Sequence, residues 1–109
     1  MFLIDAEGTL VYCNEAAELM LGRPFSEMGS LTANEFGTML QLKGLDGEPL
    51  RRRDTPPGRA FIERQPAHRT LLVTLLDGAN REVECTAYPL FGRDQEMHGV
   101  LSVFWEAAP

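Results

Sequence analysis

The sequence predicts an α+β domain of five strands, two before and three after a helical insert, with short helices gathered on one sheet face. Three observations carry this. The chain opens on two β-rich runs split by a four-residue turn. Its middle holds capped helical segments bounded by prolines. Its last third holds three strand-length runs with short connections, which makes them sequential antiparallel neighbours.

Met1 to Ile4 is short and apolar, Asp5-Ala6-Glu7-Gly8 has the residues of a tight turn, and Thr9 to Cys13 is rich in β-branched and aromatic side chains. Together they read as a hairpin. Asn14 can accept from the free N–H groups of a helix over Glu15 to Leu21, and Gly22 stands where a left-handed stop belongs. Pro24 prevents continuation. Periodicity weakens from Phe25 to Leu45, where Phe36, Met39 and Leu40 share one helical face and predict short helices. Asp46-Gly47 is a turn. Thr55 followed by Pro56 and Pro57 opens a helix to about Gln65, ended by Pro66. The strands Arg69 to Leu76, Arg81 to Leu90 and Met97 to Trp105 are split by turns at Asp77-Gly78 and Gly92-Arg93-Asp94. In the middle one, Val83, Cys85 and Ala87 alternate with Glu82, Glu84 and Thr86, giving one buried and one wet face.

A chain of 109 residues with 44% hydrophobic content suits a single domain over 1–109 with one modest core. A net charge of −6 argues against nucleic-acid binding, which rests on neutralising phosphates. Arg51-Arg52-Arg53 reads as a solvated loop, with contact to an anionic partner as the sharper alternative. No apolar run approaches the ~18 residues of a membrane span and no signal-peptide pattern is present, so the default expectation is cytoplasmic. Cys13 and Cys85 are too few for a disulfide framework, and His68 and His98 lack zinc-ligand spacing, so no metal site is expected. Met20, Met28, Met39 and Met97 read as core or surface filler. No nucleophile stands beside a base at recognisable spacing, which argues against an enzyme.

The run from Ile4 to Ala17, containing Asp5, Gly8, Asn14 and Ala16-Ala17, resembles the opening of the PAS family of sensory domains, and Leu21-Gly22 follows in place. Asp46-Gly47-Glu48-Pro49-Leu50, Pro56 and Arg59-Ala60 are similar to a segment found in sensor-kinase members. Asp77-Gly78, Arg81-Glu82-Val83, Pro89-Leu90 and Gly99 complete the likeness, which covers nearly the whole chain.

That resemblance implies the PAS fold, a five-stranded antiparallel sheet in spatial order 2-1-5-4-3 with the helices on its concave face. Its inward positions would be Phe2, Ile4, Leu10, Tyr12, Leu71, Val73, Val83, Cys85, Ala87, Val100, Ser102 and Phe104. Leu101, Val103 and Trp105 would then form an apolar outer stripe suited to a homodimer. Cys13 and Cys85 would lie three strands apart, roughly 14 Å, too far for a disulfide. The pocket between sheet and helices would be lined by Tyr12, Phe61, Val73, Cys85, Ala87, Ser102 and Phe104. It suits a small organic ligand or, because Phe2, Tyr12, Phe61 and Phe104 are large, side chains filling the space. Residues 23–65 carry no cysteine for flavin-adduct photochemistry, and the helix from Thr55 carries no histidine for haem. Cys85, by its alternation, is expected in the core as an inert thiol.

In function, the resemblance implies a non-catalytic sensory module cut from a larger bacterial signalling protein, a histidine kinase first. A diguanylate cyclase, phosphatase or transcription regulator is the alternative, and so is a ligand-free interaction domain. The partners implied are a second copy, a flanking effector domain of the same chain and a small organic ligand. Trp105-Glu106-Ala107-Ala108 stands where kinase-linked members commonly carry an Asp-Ile-Thr-like motif, and Ala108 supplies no threonine.

Overall fold

The computed structural model describes residues 1–22, 24–28, 31–74 and 78–107. Along the chain these form β1 (Phe2–Asp5), β2 (Leu10–Cys13), α1 (Glu15–Leu21), α2 (Phe25–Met28), α3 (Ala33–Leu40), α4 (Pro56–Glu63), β3 (Ala67–Thr74), β4 (Asn80–Phe91) and β5 (Met97–Glu106). The sheet is antiparallel and runs β2-β1-β5-β4-β3. Four expectations fall outside the described residues: the end of the third strand at Leu75-Leu76, the turn at Asp77, the output position Ala108, and the side-chain roles of Met20 and Met28.

Local chemistry sets most boundaries. Asp5 closes the first hairpin by accepting at Oδ1 from the N–H groups of Glu7 and Thr9, at 3.0 and 2.9 Å. Asn14 Oδ1 accepts from Ala17 N at 3.0 Å to start α1, and Gly22, at φ 74°, stops it. α3 begins in a capping box: Thr32 Oγ1 accepts from Glu35 N, and Glu35 Oε1 accepts from Thr32 N, each at 3.0 Å. The bond from Thr32 N, and after it the Thr32 hydroxyl, hold the Glu35 carboxyl below its ordinary pKa. Thr55 caps α4 by accepting from Gly58 N at 3.2 Å, with Pro56 at the first helical position. The helix stops at Glu63, two residues short of the expected Gln65. Arg64 adopts the left-handed conformation there, its guanidinium 4.8 Å above the centre of the Phe91 ring and bonded to the Gln95 carbonyl.

One strand departs from strict alternation. β1 pairs Phe2 with Cys13 and Leu3 with Tyr12, but Ile4 with Leu10, so Val11 is an extra residue in β2. This bulge turns the strand by one face. Leu10 and Cys13 are buried, whereas Tyr12, expected inward, is 45% exposed. The bulge also shows that period-two reasoning fails wherever the two strands differ by one residue.

Both sheet edges are met by connecting segments. Thr9 pairs with Thr32 beside β2, and Leu10 N donates to Leu31 O at 2.8 Å. Lys43 pairs with Leu72 of β3, exchanging N–H···O bonds of 3.0 and 2.8 Å, and also pairs with Pro49.

The core lies between the helices and one sheet face, and it is divided. Phe2, Ile4, Leu10, Phe36 and Leu40 make one cluster, with the Phe2 and Phe36 rings edge to face at 5.1 Å. Leu71, Val73, Val83 and Cys85 make a second. Ala60, Ala87 and Val100, all fully buried, bring α4 into close contact with β4 and β5. Phe104 and Leu42 pack against both of the first two clusters.

Candidate functional site

Those first two clusters do not meet fully. Between them lies a cavity of about 410 Å³, walled by the sheet on one side and by α3, the start of α4 and the segment from Leu42 to Arg52 on the other. Phe2, Ile4, Leu71, Val73, Val83, Cys85 and Phe104 form the sheet wall, and Phe36, Leu40, Leu42, Leu50 and Pro56 close the opposite side. Asn34, Thr38, Gln41, Pro49 and Arg52 line it yet are exposed, so they mark its mouth.

The buried polar groups around the cavity are already engaged. Thr55 Oγ1 donates to the Arg52 carbonyl at 2.8 Å and accepts from Gly58 N. Cys85 Sγ lies 3.3 Å from Ser102 Oγ, one thiol and one hydroxyl sharing a bond inside the sheet wall. Burial pushes the Cys85 thiol up and the Ser102 bond draws it partly back, so at neutral pH it is a protonated, poor nucleophile. Cys13 is raised in the same direction by burial.

Of the residues expected to line a pocket, Val73, Cys85 and Phe104 reach the cavity. Ala87 and Ser102 are fully buried beyond it, and Phe61 packs against the first and third clusters. Tyr12 is on the opposite face, so its placement in the pocket is corrected by the bulge in β2. The space expected to be filled by four large rings is therefore shared by only two of them, Phe2 and Phe104. Sequence reasoning missed Lys43, and it weighed Arg52 as a solvated loop residue or an anion contact without placing it in the cavity lining. The signal for Arg52 was present as the arginine triplet directly before a capped helix.

A family model described as the PAS fold matches residues 1–108. The chain belongs to the PAS family. PAS domains are sensory and interaction modules, not catalytic in themselves. Solved structures agree on the fold. The PAS domain of a Colwellia psychrerythraea protein superposes with a TM-score of 0.74 at 17% identity, covering 97% of this chain and 83% of that one. The PAS domain of Bordetella pertussis BvgS gives 0.67 at 20% identity, covering 99% and 73%. The dark structure of the blue-light photoreceptor Aureochrome1 LOV gives 0.77 at 13%, covering 98% and 74%. None of the curated proteins compared with the chain matches it.

The outer face of this PAS sheet is the second candidate surface. Register places Tyr12, Leu3, Leu101 and Tyr88 side by side across β2, β1, β5 and β4. Val103 and Trp105 extend the stripe along β5. Trp105, 42% exposed, donates from Nε1 to Glu84 Oε2 at 3.1 Å, and the His68 ring lies 6.2 Å from it. His68 therefore sits on the outer face, opposite the cavity, with Nδ1 2.6 Å from Thr86 Oγ1.

Proposed function

We propose that this PAS domain is the sensory module of a bacterial signal-transduction protein, a histidine kinase first, and that it takes a small apolar molecule into the cavity. A cytoplasmic setting and a flanking effector domain belong to the same reading. The observation that carries it is the unfilled, apolar space of about 410 Å³, within the ~300–1,000 Å³ range of small-molecule sites. Binding there would bias the packing of α3 and α4 on the sheet, and that shift is the signal. The cysteines lie on β2 and β4 and His68 faces away, which favours a colourless organic ligand over flavin-adduct or haem chemistry.

Native mass spectrometry of the freshly purified protein, with an absorption spectrum, tests this reading. A bound mass without visible absorption is the expected result, and a visible chromophore would replace the proposed chemistry. Val73→Phe should fill the cavity from the sheet wall. We expect it to keep a melting temperature within about 4 °C of the parent, near 1 kcal/mol for a domain of this size, and to remove any ligand-induced rise. Leu71→Phe gives the same reading from a neighbouring position. Retained ligand binding in both would place the ligand elsewhere.

A second reading, association of two copies through the outer face, is favoured by the apolar row ending in Trp105. Trp105→Glu would set a carboxylate beside Glu84 and should convert a dimer to a monomer in size-exclusion chromatography. An unchanged dimer would rule out this face.

A further inference from the structure

We infer that the cavity is specific for an amphiphilic anion, an apolar body ending in a carboxylate, with Arg52 and Lys43 receiving the head group at the mouth. The inference rests on the ligand-sensing reading above and adds the charge of the ligand. Its basis is a local inversion of the protein's electrostatics. The chain holds 16 acidic against 10 basic residues, yet its described cavity lining contains Lys43 and Arg52 and no Asp or Glu.

No side-chain hydrogen bond or ion pair among the described residues uses either cation. Among the described residues, no carboxylate lies within 4 Å of the Lys43 amine or the Arg52 guanidinium, and the ion pairs that do form involve Arg59, Arg81 and the two histidines. What holds these two residues in place is their backbone. Lys43 is fixed by its pairing with Leu72, and the Arg52 carbonyl by its bond from Thr55. Their positions are built, while their charged ends are unspent.

The rest of the lining sets the body of the ligand. Among the described residues the interior carries few polar side chains, and those few are partly engaged: Thr55 caps its helix and Cys85 shares a bond with Ser102. A polar group pushed to the bottom would lose its hydration without replacement. An apolar chain or ring fits there, and a charge fits only at the mouth. A cationic head would meet like charge, and a neutral head would leave both cations without a partner.

The adjacent Arg53 supplies an internal control, since it belongs to the same triplet but does not line the cavity. Isothermal titration at low salt would use the full 109-residue chain. The probes would be octanoate and 4-phenylbutyrate, each beside its neutral primary amide and its amine. The carboxylates should bind roughly five- to tenfold more tightly than the amides, the range of one charge-assisted contact at a partly exposed site. Arg52→Gln should lose part of this preference, Arg52→Gln combined with Lys43→Gln should bring the carboxylates down to amide affinity, and Arg53→Gln should leave them unchanged. Equal affinity for carboxylate and amide, or an identical response of the two arginine variants, overturns the anion preference and leaves the cavity as a ligand site. Failure of all six probes to bind overturns the ligand-sensing reading as well.

Discussion

Gly58→Ala is expected to destabilise the domain by about 3 kcal/mol, although glycine-to-alanine changes inside helices ordinarily stabilise by about 1 kcal/mol. The reversal follows from geometry. A Cβ at position 58 would sit 1.8 Å from the Arg52 carbonyl oxygen and 2.7 Å from its carbon. These are backbone atoms, so no side-chain rotation relieves the clash. Either α4 lifts off the sheet, opening the contact of Ala60 with Ala87 and Val100, or the turn at Arg52–Asp54 moves outward. The second path breaks the bond from Thr55 Oγ1 to Arg52 O and loosens the helix cap with it. Urea unfolding reads the loss as a lower midpoint at unchanged slope. A variant as stable as the parent would mean that the helix and the turn do not approach so closely.

Gly99→Ala should cost a comparable amount, about 3 kcal/mol, by a different route. Gly99 is buried in β5 opposite Asp5 of β1, at φ +154°, a backbone region that L residues rarely adopt. An alanine Cβ would stand 2.2 Å from the Ile4 carbonyl oxygen, within the central strand pair. Strain and overlap act together, and the relief is separation of β1 from β5. Against the ~5–15 kcal/mol that holds a small domain together, this is a large share. Thermal unfolding of Gly99→Ala beside Gly58→Ala measures both. A Gly99→Ala melting temperature equal to the parent's would show that the strand pair tolerates a side chain there.

How much of this could be read from the residues depends on how local the cause is. Asn14, Gly22 and Thr55-Pro56 act on backbone groups within a few positions, and they mark the helix ends where expected. Thr32 three residues ahead of Glu35 was equally readable, and it gives α3 the start that weak periodicity left open. The alternation of Val83, Cys85 and Ala87 fixed the buried face of β4 because it needs no knowledge of a partner. Tyr12 was misplaced because its direction is set by a register with β1 that contains one extra residue. For the same reason β5, apolar on both alternating sets, needed the family likeness to choose a face. The cavity was the least legible feature. It is the volume that remains after two clusters pack, and no short stretch of sequence encodes a remainder. Leu42, Leu50, Lys43 and Arg52 reach it from a segment without regular periodicity, which is why only three of the seven expected lining residues do so.

The short pairings at Thr9 with Thr32 and at Lys43 with Leu72 decide what kind of assembly this sheet can enter. A bare outer strand invites another chain to add alongside it, and such addition repeats without end, because each newcomer presents a fresh edge. Here a strand approaching from either side meets a crossing segment before it can zip up. Lateral growth is hindered at Thr9 on one margin and at Leu72 on the other. What stays open is the broad face bearing Tyr12, Leu3, Leu101 and Tyr88. Two copies joined there by a two-fold axis cover each other's contact patch and leave none for a third. For the proposed association through the outer face, these edge contacts favour a closed pair over a growing sheet.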